Sequence, residues 1–349
     1  MKKVFIFLVF ACLAVVSFYS CSSSSDTVLG DWKKRSDLDG VARCGSMVFT
    51  INGKAYLVSG HNWAPDGIDT IKVVYEFDPV ANDGMGSWTR KKEFPGTPRH
   101  SGIAFSVGNY GYVGLGTDGN NYLNDFWRYD PANDTWTQLK NFPGSARCDA
   151  VGFSIGNAGY VSSGWDGSYL KDFWQYDPAN DTWTSKASYG GSKRRGAMAF
   201  VINNKAYICG GQGSDGTYVY DFWQYDPTTS NWTPKRDIAN TNEEETYDDD
   251  YTNIVREYGV SFVMNGKAYV STGLHGSYLQ ETWEYDPKED LWNKMTPIEG
   301  SGRYWAVGFS INNRGFVATG TTGGSSSSSF LEDIWEFFPT AAFDISKEK

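Results

Sequence analysis

The feature that most constrains this chain is a pattern that returns six times. Arg43, Arg99, Arg147, Arg194, Arg256 and Arg303 each open a unit, and Phe49, Phe105, Phe153, Phe200, Phe262 and Phe309 follow six residues later. Seven residues further on stand Tyr56, Tyr112, Tyr160, Tyr207, Tyr269 and Phe316. Seventeen residues after each Arg comes Gly60, Gly116, Gly164, Gly211, Gly273 or Gly320. A period of about 50 residues marks a repeat architecture, in which each unit buries its apolar faces only against its neighbours.

Between the Phe and the Tyr of each unit lies Asn52-Gly53, Gly108-Asn109, Gly156-Asn157, Asn203-Asn204, Asn265-Gly266 or Asn312-Asn313. Such pairs accept positive φ and close two-residue hairpins. The second half alternates aromatic and polar residues, as in Phe126-Trp127-Arg128-Tyr129-Asp130-Pro131 followed by Trp136. The pattern recurs at Trp174, Tyr176 and Trp183, at Trp223, Tyr225 and Trp232, and at Trp283, Tyr285 and Trp292. Period two reads as strand, and Asp-Pro ends it because Pro has no N–H for the ladder. Each unit is therefore expected to be a four-stranded antiparallel sheet.

An Arg before the first strand, a Gly after the second, and Tyr then Trp across the third and fourth resemble the kelch repeat, whose double glycine occurs at Gly210-Gly211. The resemblance covers residues 32 to 339 and implies an all-β, six-bladed β-propeller of four-stranded antiparallel blades. The sixth unit has Trp335 but no fourth-strand Trp. Trp32, however, lies eleven residues before Arg43, the spacing seen from Trp88 to Arg99, Trp136 to Arg147, Trp183 to Arg194 and Trp292 to Arg303. The N-terminal strand is thus expected to complete blade six and remove a free sheet edge.

Ahead of the repeats, Lys2-Lys3, an apolar run from Val4 to Phe18 and Ser20-Cys21 follow the order of a secretory signal. The segment resembles a bacterial lipoprotein signal with Cys21 as the lipidated residue. The expected organisation is a signal peptide over 1–20, a tether over 21–29, the propeller over 30–340 and a tail over 341–349. The expected location is the outer membrane or cell surface of a Gram-negative bacterium. A net charge of −10 with no basic block argues against nucleic acid and leaves the lipid anchor as the membrane contact. Cys44, Cys148 and Cys209 have no CxxC spacing and are expected to be buried free thiols.

Candidate functional residues are those that break the repeat. Eleven of the fourteen tryptophans occupy repeated positions, whereas Trp63, Trp165 and Trp305 do not. Because strand direction alternates, the loop entering strand one and the loop between strands two and three open on one face. That face is expected to carry Arg43, Arg99, Arg303, His61, His100, Asp149, Tyr258 and Tyr304 beside the three tryptophans, as a ligand-binding set. The repeated arginines are expected to pair with Asp125, Asp172, Asp221, Glu281 and Asp333. Val73 stands where the acid of blade one should be, which leaves Arg43 free for an anionic group. The long link from Trp232 to Arg256 contains Glu243-Glu244-Glu245 and Asp248-Asp249-Asp250. It is expected to be a solvated flap, with a cap over the mouth or a Ca²⁺ loop as alternatives.

No nucleophile elbow, phosphate loop or HExxH is present. The kelch resemblance brings in copper-dependent galactose oxidases, whose site needs two His, two Tyr and a crosslinked Cys, where this chain has three His in all. It also brings in the six-bladed sialic-acid mutarotases. No metal and no cofactor are expected. The leading expectation is a monomeric, lipid-anchored propeller that recognises a carbohydrate or protein ligand. Aromatic faces stack on sugar C–H groups while polar side chains take the hydroxyls. Sugar chemistry of the mutarotase type is the alternative.

Overall fold

The computed structural model describes residues 28–64, 67–241, 243–323 and 329–342, so the signal and lipidation readings at 1–27 lie outside the described residues. Six four-stranded antiparallel sheets follow one another in a ring. Blade one comprises Met47–Ile51, Lys54–Val58, Val74–Asp78 and Ser87–Lys91, and blade two comprises Ile103–Val107, Tyr110–Gly114, Phe126–Asp130 and Thr135–Gln138. Burial falls from the inside outward: the second strand of blade two is buried over four successive residues, whereas three of the four residues of its outer strand are exposed. The core lies in the seams between blades. In the first seam Phe49 stacks on Tyr56 at 5.2 Å, and Tyr129 of blade two covers the pair at 5.5 Å from Tyr56.

The ring closes as its tryptophan spacing requires. Strand Leu29–Lys34 pairs antiparallel with Ile334–Ala342, with Trp32 opposite Phe337 and Leu29 opposite Ala342. The last strand thus runs two residues into the segment read as a tail. Trp32 is fully buried, and its indole N–H donates to the Thr296 carbonyl at 3.1 Å. Trp88, Trp136 and Trp232 make the same bond to the carbonyls of Ser36, Lys92 and Ala187. The N-terminal strand therefore performs the same packing role as a native fourth strand.

All six repeat arginines are buried, at 0–1 % exposure. Arg99 donates to both carboxylate oxygens of Asp125 at 2.6 and 2.7 Å, and the Trp127 indole donates to the same carboxylate at 2.7 Å. Arg147, Asp172 and Trp174 repeat this triad, as do Arg303, Asp333 and Trp335. Arg194 pairs with Asp221. Blade five departs from the expected pairing. Arg256 reaches the backbone carbonyl of Glu281 at 2.9 Å, while the Glu281 carboxylate, one methylene longer than aspartate, accepts from Asn253 and from the Gln280 N–H.

Blade one lacks the acid, as expected, yet Arg43 is not presented to an anion. It is 0 % exposed and donates to the carbonyls of Val41, Ser59 and Val73. Burial lowers its pKa to about 10, with Tyr75 opposing.

The acidic insertion is not a solvated flap or a cap. Ile238, Tyr251 and Ile254 are buried against Trp283 and Trp292 of blade five, and the Tyr251 hydroxyl accepts from the Trp292 N–H at 2.7 Å. Asp248 is fully buried and accepts from the Thr241 N–H, while Glu243, Glu244 and Glu245 face solvent. Cys44, Cys148 and Cys209 are buried and free.

Candidate functional site

The residue two places after each repeat Arg takes a left-handed conformation: Gly45, Ser101, Asp149, Gly196, Tyr258 and Trp305 have φ between 52° and 62°. Their backbones form a closed circle of hydrogen bonds around the propeller axis. Each N–H donates to the carbonyl of the preceding blade's equivalent residue, at 2.8–3.3 Å, and Gly45 completes the circle by donating to Trp305. Only two of the six are glycine, so four side chains are held in a conformation that costs on the order of 1 kcal/mol or more each. The strain sets Ser101, Asp149, Tyr258 and Trp305 around an axial cavity of about 110 Å³.

A second tier surrounds the first. The residue after each Arg bridges to the residue after each repeat Gly, giving Cys44 with His61, His100 with Thr117, Cys148 with Trp165, Arg195 with Gln212, Glu257 with Leu274 and Tyr304 with Thr321. Asp149, Tyr258 and Trp305 thus belong to the inner tier, and His61, His100, Trp165 and Tyr304 to the second. Arg43, Arg99 and Arg303 stand one residue further back, inside the wall. The side chain of Trp63 lies outside the described residues; its backbone is in the short strand His61–Ala64.

The inner residues touch one another. The Tyr258 hydroxyl donates to Asp149 Oδ2 at 3.2 Å. The Trp305 ring lies 5.2 Å from Tyr258, 4.9 Å from Tyr304 and 5.6 Å from His61, and the His61 and His100 rings are 4.2 Å apart. Arg195 lies over Trp165 at 5.2 Å and donates to Gln212 Oε1 at 3.0 Å, while its Nε has no protein partner.

The kelch motif matches residues 116–143, 146–188 and 193–237, which fall in blades two to four. The chain carries kelch motifs within a six-bladed propeller. A solved structure titled "Structure of YjhT" superposes with a TM-score of 0.67 over 86 % of this chain and 96 % of that one, at 16 % sequence identity, so the likeness is one of fold. No curated protein matches the chain.

Electrostatics distinguish this mouth from a simple charged funnel. Burial raises the pKa of Asp149 against the opposing hydrogen bonds from Ser101, Cys148 and Tyr258 and the charge of Arg195. Burial also pushes Glu257 up to about 7, with Arg195 opposing and Asp149 adding. His61 and His100 fall to about 3 and about 4, chiefly through burial, and are neutral near pH 7. Burial thus works against charge on the carboxyls and imidazoles of the mouth, and Arg195 is the cation set among them. Among the described residues no group of three His, Cys, Asp or Glu is placed to hold a metal.

Ser101, Arg195 and Glu257 were not among the residues singled out from the sequence. The signal that finds them is positional: they stand one or two residues after a repeat Arg, where residue type changes from blade to blade.

The shifted Glu257 has a pH consequence. The folded protein holds its proton more tightly than the unfolded chain, in which the carboxyl has its ordinary pKa of 4.5. Its contribution to stability is therefore complete below pH 4.5 and lost as pH rises toward about 7. The two depressed histidines act oppositely, removing stability as pH falls below 6.5. Glu257→Gln isolates the first effect: relative to wild type it should gain stability between pH 5 and 8 in urea unfolding. A constant difference across that range would place the Glu257 pKa near its ordinary value.

Proposed function

We propose that this propeller binds a carbohydrate in its axial mouth. The observation that carries the reading is the convergence of the Trp305 and Tyr258 rings with Asp149, Arg195 and Glu257 on one axial opening. A sugar offers an apolar C–H face to an aromatic ring and vicinal hydroxyls to paired donors and acceptors, which is the mixture present here. A glycan array followed by titration calorimetry tests the reading. Trp305→Ala should weaken binding of the best sugar by about 1–3 kcal/mol with little change in melting temperature. Trp127→Ala, in the wall, should do the reverse. Wild-type affinity in Trp305→Ala would remove the mouth as the site.

A second reading rests on Glu257. A carboxyl titrating near 7 beside a guanidinium can accept and return a proton at neutral pH, which is what interconversion of sugar anomers requires. Exchange between anomers of a bound reducing sugar, followed by NMR, should be accelerated by wild type and not by Glu257→Gln. Equal rates would leave binding as the function.

We propose further that Cys21 is lipidated and anchors the chain to the outer membrane or cell surface. Cys21→Ala should then move the protein from the detergent phase to the aqueous phase, and continued partitioning into detergent would refute the anchor.

A further inference from the structure

A third ring of residues crowns the mouth. The residue preceding Leu123, Leu170, Val219, Leu279 and Leu331 is Tyr122, Tyr169, Tyr218, Tyr278 or Phe330, and each bridges to the second tier. Two of these residues are exposed, Tyr122 at 38 % and Tyr278 at 43 %.

The crown forms two distinct surfaces. On blades five and six, Tyr278 lies parallel to Tyr304 at 5.3 Å and 7°, and Tyr304 in turn lies on Trp305 at 4.9 Å. Aromatic surface thus descends without a break from the rim to the axis. On blades two and three, the Trp165 indole donates to the Tyr122 hydroxyl at 2.7 Å, and Tyr169 packs edge-on to Trp165 at 4.8 Å. In a six-bladed ring blades two and five stand opposite each other, as do blades three and six. The two platforms therefore face each other across the axial cavity.

A single sugar at the axis would leave both platforms bare, and exposed aromatic surface bordering a site marks contact with something larger. We infer that the ligand is an oligosaccharide lying across the mouth. One sugar sits at the axis on Trp305 and Tyr258, and its neighbours stack on Tyr278 at one side and on the Tyr122–Trp165 platform at the other. This inference rests on the carbohydrate reading of the mouth and adds the length of the ligand to it.

The test is a chain-length series, from monosaccharide to hexasaccharide, of cello-, xylo-, laminari- and chito-oligosaccharides, titrated calorimetrically against the full propeller. Affinity should rise with each sugar that gains a platform and then level off. Tyr278→Ala and Tyr122→Ala should each weaken binding of the longest oligomer roughly 3- to 10-fold, the range for one stacked ring, and leave monosaccharide affinity unchanged. If hexasaccharide and monosaccharide bind equally while Trp305→Ala still weakens binding, the platforms are not subsites and the axial site stands. If the two rim variants bind the hexasaccharide as wild type does, the inference fails in the same way. If wild type binds no member of the series, both the inference and the carbohydrate reading fall for these sugars.

Discussion

Removal of residues 28–34 will open the ring. The strand carries Trp32, which packs on Phe337 at 4.7 Å and edge-on to Phe262 of blade five at 6.1 Å, so it seals blade six and its seam together. Its loss exposes the pairing edge of Ile334–Ala342, a template for aggregation. The truncated protein should melt far below wild type and scatter light on heating. Trp32→Ala alone should cost about 3–5 kcal/mol, as for other large aromatic truncations in a core. Removal of residues 343–349 leaves every pair between the two strands in place and should cost much less. Equal melting temperatures for the two truncations would show that the N-terminal strand does not hold the ring shut.

Asp172→Ala should destabilise the protein by about 2–3 kcal/mol, because it takes the carboxylate from a buried cation that keeps only its bonds to Ser145 and Ser163, while the half-open Asp172 position admits water. Arg147 is 1 % exposed and sends both terminal nitrogens to Asp172, and the Trp174 indole shares that carboxylate. Blade five supplies the internal comparison. Arg256 is satisfied by backbone carbonyls, so Glu281→Ala removes no direct ion pair and should cost about 1 kcal/mol or less. Urea unfolding of the two variants side by side decides the matter. Similar costs would mean that carbonyl bonding, not the aspartate, holds the repeat arginines.

What was legible in the sequence follows from how often each signal is repeated. Strands, hairpins and the Trp32 closure stand out because six copies of one pattern support each position. Asp149, Tyr258 and Trp305 were visible as exceptions to that pattern. The burial of Arg43, Arg99 and Arg303 was not, since successive residues of an extended segment point in different directions and only the second after each Arg reaches the axis. Arg195 and Glu257 were hidden because each stands directly after a repeat arginine, whose charge dominates the local pattern. The insertion misled because its exposed glutamates conceal Ile238, Tyr251 and Ile254, whose spacing matches neither strand nor helix period. The difference between Asp125 and Glu281 is a single methylene, and its effect on the Arg pairing appears only in three dimensions.

The direction of the closing strand has one more consequence. It begins at Leu29 beside Ala342, on the face of the Asn and Gly hairpin turns, and runs toward Lys34 and the mouth. Both described ends of the chain therefore leave the propeller from the face opposite the mouth. A support that holds the described fold at Leu29 or Ala342 therefore meets its base and leaves the mouth open to the medium.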